Sequence, residues 1–226
     1  MLKTPPLTID IISDVVCPWC YVGKRRLEAA LAGRSNSQAA PVRVRWHAFQ
    51  LNPDIPPGGV DRRSYLERKF GGPERAKQIY ARIKAAGDEV GIAFDFERIV
   101  RQPNTFDAHR LIGWVQDVDL TRSDALIEGL FRAYFIEGVD IGDIDALARL
   151  AGDAGFDSNA ARDWLASNAG RAAIQAEEQR ARALGVTGVP FFVFNQRLAV
   201  SGAQPPEVLL GAMDEASVAE FESGAA

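Results

Sequence analysis

The sequence predicts an α/β fold in which a small mixed sheet with flanking helices is interrupted by a long helical segment. Runs of β-branched or alternating apolar residues, which are typical of strands, lie near both ends of the chain. The middle, from about residue 61 to residue 184, has the apolar periodicity of helices instead. The resulting order, β-α-β, a helical stretch and then α-β-β-α, is typical of a sheet covered by helices.

The first 48 residues predict a strand, a helix and a second strand. Leu7–Ser13 is an apolar, β-branched run that begins after Pro6, which indicates a buried strand. Residues 20–31 carry apolar side chains at helical spacing, and Gly33 can end that helix. Residues 41–48 alternate between apolar and polar side chains, as a strand with one buried face does.

The middle of the chain predicts a series of helices with marked starts. Asp61, Asp143 and Asp157 can each cap a helix, and Pro73 suits the first turn of another. Thr121–Asp124 matches a capping box. Behind it lies an apolar stripe at helical spacing, which is expected to be core: Leu126, Ile127, Leu130, Phe131, Tyr134 and Phe135.

The end of the chain predicts two strands, over residues 189–194 and 198–201, joined by a turn at residues 195–196. A final helix is expected from Pro205 to about Met213. Neither a repeat nor a Gly/Ser-rich linker divides the chain, so we expect one folding unit with an insertion. The predicted domains are a sheet domain over residues 1–60 and 171–226 and a helical insertion over residues 61–170.

The composition excludes several classes of function. The chain has 226 residues, of which 47% are hydrophobic and 25% are charged, as in an ordinary soluble protein. Its net charge of −4 comes with scattered basic residues, so neither nucleic acid nor a membrane is expected as a partner. The apolar runs are too short to span a bilayer, and the first residues lack the apolar segment of a signal peptide. A cytoplasmic location is therefore expected.

Both cysteines of the chain lie in one motif, Cys17-Pro18-Trp19-Cys20. Structural disulfides are rare in a reducing compartment, so a single CxxC indicates redox chemistry or metal binding. Cys17 is expected at the start of a helix, where unpaired N–H groups and the helix dipole stabilise a thiolate. Cys20, nearly one turn further, can attack a mixed disulfide at Cys17, and Trp19 offers an apolar surface beside the sulfur.

Two other interpretations of the motif stay open. A structural disulfide across so short a loop would stabilise the fold by only about 2 kcal/mol. A zinc site could combine Cys17 and Cys20 with His47 and His109, but these histidines lack the close spacing of a zinc finger. Dithiol–disulfide exchange explains the motif better, and no bound metal is expected.

Pro190 begins an apolar strand, where a proline removes one donor from the sheet. This position indicates an unusual backbone path, such as a cis peptide bond between Val189 and Pro190. A trans proline that leads the strand is the alternative.

Together with the CxxC motif, four further segments make the chain resemble the DsbA-like thioredoxin superfamily, specifically its FrnE type. The motif lies in residues 17–24, and the further segments are residues 50–53, 104–109, 185–190 and 201–204. The resemblance implies a thioredoxin fold interrupted by a large helical insertion, with Cys17 as nucleophile and Cys20 as resolving thiol. It also implies that Pro190 is a cis-proline facing the dithiol and that Val189 offers backbone groups to a substrate.

The predicted function is thiol–disulfide exchange with protein or small-molecule disulfides and thiols. The same branch includes glutathione-dependent 2-hydroxychromene-2-carboxylate isomerases and kappa-type glutathione transferases, which typically have serine at the position of Cys17. Glutathione is therefore expected at most as a co-substrate, with no tightly bound cofactor. An isomerase or transferase of that type, a polyketide-tailoring enzyme and a non-catalytic binding module are the alternatives.

His109 is a further candidate site residue. It lies about one turn into a predicted helix that Asn104 or Thr105 caps and that extends to Val115. We predict that His109 faces the dithiol, near bound substrate, and exchanges protons with Cys20. The alternative is a histidine that is satisfied by a backbone carbonyl. The apolar helical segment also makes a homodimer an option.

Overall fold

The structure, a computed structural model, describes residues 6–34 and 41–223 and has a central sheet flanked by helices. Residues 1–5, on which the expectation of no signal segment partly rests, lie outside the described residues. In chain order the elements are β1 (Leu7–Ser13), α1 (Pro18–Ala32), β2 (Val42–Ala48), β3 (Val60–Asp61), α2 (Arg62–Phe70), α3 (Pro73–Glu89), β4 (Arg101–Gln102), α4 (Phe106–Asp119), α5 (Ser123–Arg132), α6 (Ile144–Asp153), α7 (Ser158–Ala166), α8 (Arg171–Ala183), β5 (Phe191–Phe194), β6 (Leu198–Ser201) and α9 (Pro206–Ser223).

The central sheet has four strands in the order β2-β1-β5-β6. β1 is parallel to β2 and antiparallel to β5, and β5 is antiparallel to β6. Ile12 pairs with Phe191. The loop that follows β1 and the residue that precedes β5 therefore meet at the same end of the two central strands. This arrangement confirms the predicted α/β fold and brings the two motifs of the sequence together.

Helices α2 to α8 all lie between β2 and β5 in the chain, so a long helical segment interrupts the sheet. The predicted apolar stripe on and after α5 is buried, and Tyr21 of α1 stacks on Phe131 with ring centroids 5.0 Å apart. This stacking joins the insertion to α1 in one apolar core. The boundaries of the two domains stay a prediction.

Several local expectations are confirmed. Asp61, Asp143 and Asp157 each accept a hydrogen bond from a backbone N–H in the first turn of the helix that follows. Asn195 and Gln196 both have positive φ, 48° and 57°, as the tight turn between two strands requires.

Three expectations need correction. The insertion is not entirely helical, because β3 and β4 pair as a short antiparallel ribbon. The capping box at Thr121 does not form: Thr121 lies in a 3-10 turn, where its N–H and hydroxyl donate to Asp119. The last helix, α9, continues past Met213 to Ser223, since that stretch contains good helix formers and no proline or glycine.

Arg110 is the largest fully buried side chain in the described part of the chain. Its guanidinium donates to the backbone carbonyls of Trp164, Leu165, Ser167 and Ala169 at 2.8 to 3.0 Å. These carbonyls lie at the end of α7 and just beyond it, where a helix leaves its carbonyls unpaired. Arg110 therefore joins α4 to the C-terminal end of α7.

No helix within residues 6–34 and 41–223 is long and apolar enough to cross a membrane.

Candidate active site

Cys17 is the N-cap residue of α1, with Pro18 as the first residue of the helix. Its backbone is extended, and its side chain makes no capping hydrogen bond to the helix. Cys17 therefore lies at the N-terminal end of α1, which is the positive end of the helix dipole. The Cys17 thiol donates to the carbonyl oxygen of Val189, at 3.5 Å.

Cys20 lies on the inner side of α1 and has no exposed surface, whereas Cys17 retains 4% of its surface. The two cysteines are not joined by a disulfide. Burial raises the pKa of the Cys20 thiol well above its usual value, and the hydrogen bond and charge of Cys17 raise it further. Hydrogen bonding by Ser13 and by the backbone of Asp14 opposes this rise. Cys20 is thus the thiol that needs help to lose its proton.

The peptide bond between Val189 and Pro190 is cis. Pro190 is buried against α1 at Gly23, where an added Cβ would lie 2.9 Å from Pro190 Cγ. Only glycine fits there without displacing one of the two segments. The Pro190 carbonyl accepts from Gly202 N–H at 2.8 Å, which fixes this loop to the end of β6.

The surface around the dithiol is formed by a few apolar groups. Trp19 is 38% exposed, and Pro18 and Val189 are partly exposed. The exposed Trp19 ring and the Val189 backbone thus belong to the two segments that meet at Cys17. The structure brings the sequence-predicted site residues together at this end of the two central strands: Cys17, Cys20, Val189, Pro190 and Trp19.

His109 is buried, and its Nε2 lies 3.5 Å from Asp14 Oδ1. Among the residues that the structure describes, this nitrogen has no hydrogen-bond partner, so it makes no direct hydrogen bond to either cysteine. Thr105, rather than Asn104, is the N-cap of α4. A role for His109 in proton transfer stays a prediction.

Asp14 is a site residue that sequence reasoning missed. It is fully buried, and its Oδ2 accepts from Leu51 N–H at 2.8 Å. It lies between the end of β1 and the CxxC motif, with its backbone beside Cys20. The sequence did contain a signal for it, namely an acidic residue between an apolar strand and the CxxC motif. Aspartate is almost never fully buried unless it is paired.

Lys24 was also missed. Its side chain is 2% exposed and its Nζ is paired with Glu28, Asp124 and Glu128. Burial alone would lower the pKa of Lys24, but the hydrogen bond to Glu28 and the charges of all three carboxylates raise it. This ion cluster holds α1 against α5 and so fixes the helix that carries the dithiol.

His47 lies apart from the cysteines, between Asp10 and Glu177. Its Nε2 is 2.8 Å from Asp10 Oδ1, and its Nδ1 is 3.5 Å from Glu177 Oε1. Although burial opposes it, hydrogen bonding to these carboxylates raises the pKa of His47 to about 9. Among the described residues, no three His, Cys, Asp or Glu side chains are arranged to hold a metal ion.

The sheet, the dithiol at the start of α1 and the opposing Pro190 define a thioredoxin-fold protein. The chain matches the family model of the DsbA-like thioredoxin domain over residues 8–214. It therefore belongs to the DsbA-like thioredoxin family, and it is an oxidoreductase enzyme of that family.

Solved structures agree with this assignment. A probable DsbA oxidoreductase from Streptomyces coelicolor is 34% identical, with a TM-score of 0.81 over 93% of this chain and 89% of its own. A 2-hydroxychromene-2-carboxylate isomerase is 16% identical, with a TM-score of 0.70 over 97% and 99%. The cytosolic disulfide reductase DsbM from Pseudomonas aeruginosa, solved with glutathione, is 18% identical, with a TM-score of 0.57 over 96% and 98%. The last two similarities concern the fold alone.

Proposed function

We propose that this protein exchanges disulfides with protein or small-molecule substrates, with Cys17 as the nucleophile and Cys20 as the resolving thiol. The observation that carries the proposal is the asymmetry of the two sulfurs. Cys17 lies at the positive end of α1, whereas Cys20 is fully buried with a raised pKa. An attacking thiolate and a protected second thiol are the two parts that reversible exchange requires.

The reaction has two steps. The Cys17 thiolate attacks a substrate disulfide, forms a mixed disulfide and releases one substrate thiolate, which takes up a proton. Cys20 then loses its proton and attacks the Cys17 sulfur, so that the second substrate sulfur leaves as a thiolate. The substrate is reduced to two thiols while Cys17 and Cys20 are oxidised to a disulfide, and the reverse sequence oxidises a dithiol.

Val189 and Trp19 are proposed to bind the substrate. In the free protein the Val189 carbonyl accepts from the Cys17 thiol at 3.5 Å, so this backbone already lies at the reacting sulfur. Its position beside Pro190, which packs on α1, keeps the strand edge close to the dithiol. The exposed Trp19 ring supplies an apolar contact that does not require a particular charge on the substrate. Such a contact suits varied substrates.

We further propose a cytoplasmic location, glutathione as a co-substrate and membership of the FrnE type. The cytoplasmic location is supported by cysteine usage, since both cysteines of the chain are in the CxxC motif and none is left for structural disulfides. The glutathione proposal is supported by the similarity in fold to a disulfide reductase solved with that thiol. The homodimer stays a prediction.

The Cys20→Ser variant separates disulfide exchange from a glutathione-dependent isomerase. Two assays are compared: insulin reduction with dithiothreitol, and glutathione-dependent isomerisation of 2-hydroxychromene-2-carboxylate. Loss of the intramolecular attack by Cys20 is expected to slow insulin reduction about 100-fold, since resolution then depends on an external thiol. The parent protein is expected to show no isomerisation above the background rate.

The opposite pattern would support the isomerase. In that case the parent protein catalyses isomerisation, and Cys20→Ser retains the activity because only the position of Cys17 contacts glutathione. Circular dichroism of both proteins controls for a loss of fold.

A further inference from the structure

An open cavity of about 1000 Å³ lies in the helical segment, between α2, α3 and the loop that precedes β4. Arg62 and Tyr80 belong to its wall, and neither cysteine does. Much of the remaining wall is apolar: Leu66, Ala81, Phe94, Phe96, Ile99 and Val100. An apolar wall with a few polar groups is typical of sites for small organic molecules, and the volume is at the upper end of their range.

Arg62 is a buried cation in this wall, with 7% of its surface exposed. Its guanidinium donates to Gln102 Oε1, to the Tyr134 hydroxyl at 3.0 Å and to the Tyr80 hydroxyl at 2.6 Å. All three acceptors are neutral groups. Among the described residues, Arg62 Nε has no hydrogen-bond partner and no carboxylate forms an ion pair with the guanidinium.

The other buried arginine and lysine side chains of the described ranges differ from Arg62 in this respect. Arg110 pairs with Asp107, and Lys24 pairs with three carboxylates. Burying a charge is unfavourable unless an opposite charge compensates it. The fold therefore keeps at Arg62 a positive charge that the described part of the chain does not neutralise.

Tyr80 supplies a second hydrogen-bond donor beside Arg62. Its oxygen accepts from Arg62, and a hydroxyl that accepts can also donate. Within residues 6–34 and 41–223, no group accepts the Tyr80 proton. Burial raises the pKa of Tyr80, although the charge of Arg62 opposes this rise, so the hydroxyl keeps its proton at neutral pH.

We propose that this cavity binds an organic monocarboxylate with an apolar body, whose carboxylate accepts hydrogen bonds from Arg62 and Tyr80. A guanidinium and a carboxylate form charge-assisted hydrogen bonds, which are among the strongest in proteins. The apolar wall continues from this polar end, because the Phe96 ring lies 4.4 Å from the Tyr80 ring and 4.9 Å from the Phe94 ring, measured between centroids. The inference goes beyond disulfide exchange and does not depend on it.

The other charges of the wall limit the ligand to one carboxylate. Lys77 and Lys84 lie three and four positions from Tyr80, on the same face of α3, and add positive charge near it. Asp88, Asp95 and Glu97 line the cavity as well. These three acids disfavour a second anionic group on the same ligand.

Calorimetric titration with 4-phenylbutyrate and with its neutral amide, 4-phenylbutyramide, tests the requirement for a charge. The parent protein is expected to bind the carboxylate at least about tenfold more tightly than the amide, since only the carboxylate compensates Arg62. Arg62→Gln should remove this preference. Tyr80→Phe retains the ring and removes one donor, so it should weaken binding of the carboxylate about 5- to 10-fold.

Tyr65→Phe is the matched control. The Tyr65 hydroxyl donates to Asn52 at 2.7 Å, and Tyr65 lies on α2 but does not line the cavity. This variant should bind 4-phenylbutyrate as the parent protein does. Backbone amide NMR spectra of the parent protein should show the ligand-induced shifts at Tyr80 and Ala81.

Three results would overturn the carboxylate site. They are no binding of 4-phenylbutyrate to the parent protein, equal affinities for the acid and the amide, and unchanged binding of the acid by Tyr80→Phe. If Arg62→Gln does not fold, Tyr80→Phe decides the question, because the loss of one hydroxyl leaves the packing of the ring in place. Insulin reduction measures disulfide exchange separately, so the failure of one proposal leaves the other intact.

Discussion

Replacing Cys17 with serine is expected to slow disulfide exchange by at least about 1,000-fold, or roughly 4 kcal/mol of transition-state stabilisation. A thiolate is the attacking group in exchange, and a serine hydroxyl does not ionise at neutral pH even at the start of a helix. The cavity left by the change is small, and the hydrogen bonds at stake are those of the Cys17 side chain to the Val189 carbonyl and to Cys20. The fold should therefore remain.

Insulin reduction with dithiothreitol measures the effect on activity, and urea unfolding of the same samples measures stability. Cys20→Ser is the paired control, because it removes a sulfur from the same helix and retains the nucleophile. A Cys17→Ser protein with activity within tenfold of the parent would show that Cys17 is not the nucleophile.

Replacing Arg110 with leucine is expected to lower the free energy of unfolding by about 3 to 5 kcal/mol. Arg110 has no exposed side-chain surface, pairs with Asp107 at 2.7 Å and donates to backbone carbonyls at the end of α7. Leucine would remove the guanidinium donors from these carbonyls, of which that of Leu165 belongs to a buried residue, and each such loss in a buried site is unfavourable by about 1 to 3 kcal/mol. The free energy of unfolding comes from urea denaturation.

Arg162→Leu in α7 is the matched control for this effect. Arg162 pairs with Asp145 at 2.9 Å, but both side chains are largely exposed. Exposed pairs contribute about 0 to 1 kcal/mol, so the control should unfold close to the parent midpoint. Equal losses in the two variants would contradict the role given to Arg110.

The parts of the site that the sequence predicted are those with local signals. Cys17 and Cys20 stand in one motif, and the apolar run before them ends where the helix begins, so their place at a helix N-terminus follows from neighbouring residues alone. The strands β1, β2, β5 and β6 were likewise readable from their apolar patterns. The ribbon of β3 and β4 was not, since two residues are too few to show a period.

The residues that were missed act through contacts between distant segments. In the sequence, Lys24 is one of several basic residues on a helix. Only the structure, in which it packs against α5, shows that it is buried. In the sequence Glu177 resembles a solvated acid, but its side chain binds the backbone at the end of β2 and lines a small cavity beside His109. His109 was singled out, yet its proximity to Asp14 could not be inferred, because nothing in the sequence relates residues 95 positions apart.

The central claim is that Cys17 forms the mixed disulfide and Cys20 resolves it, and trapping that intermediate tests the claim most directly. Cys20→Ser is incubated with glutathione disulfide, and the intact protein and its peptides are analysed by mass spectrometry. We predict one glutathione adduct per chain, located on Cys17 and removed by dithiothreitol, with no comparable adduct in Cys17→Ser. An adduct that forms as readily on Cys20 of Cys17→Ser, or no adduct on Cys17 at all, would contradict the account.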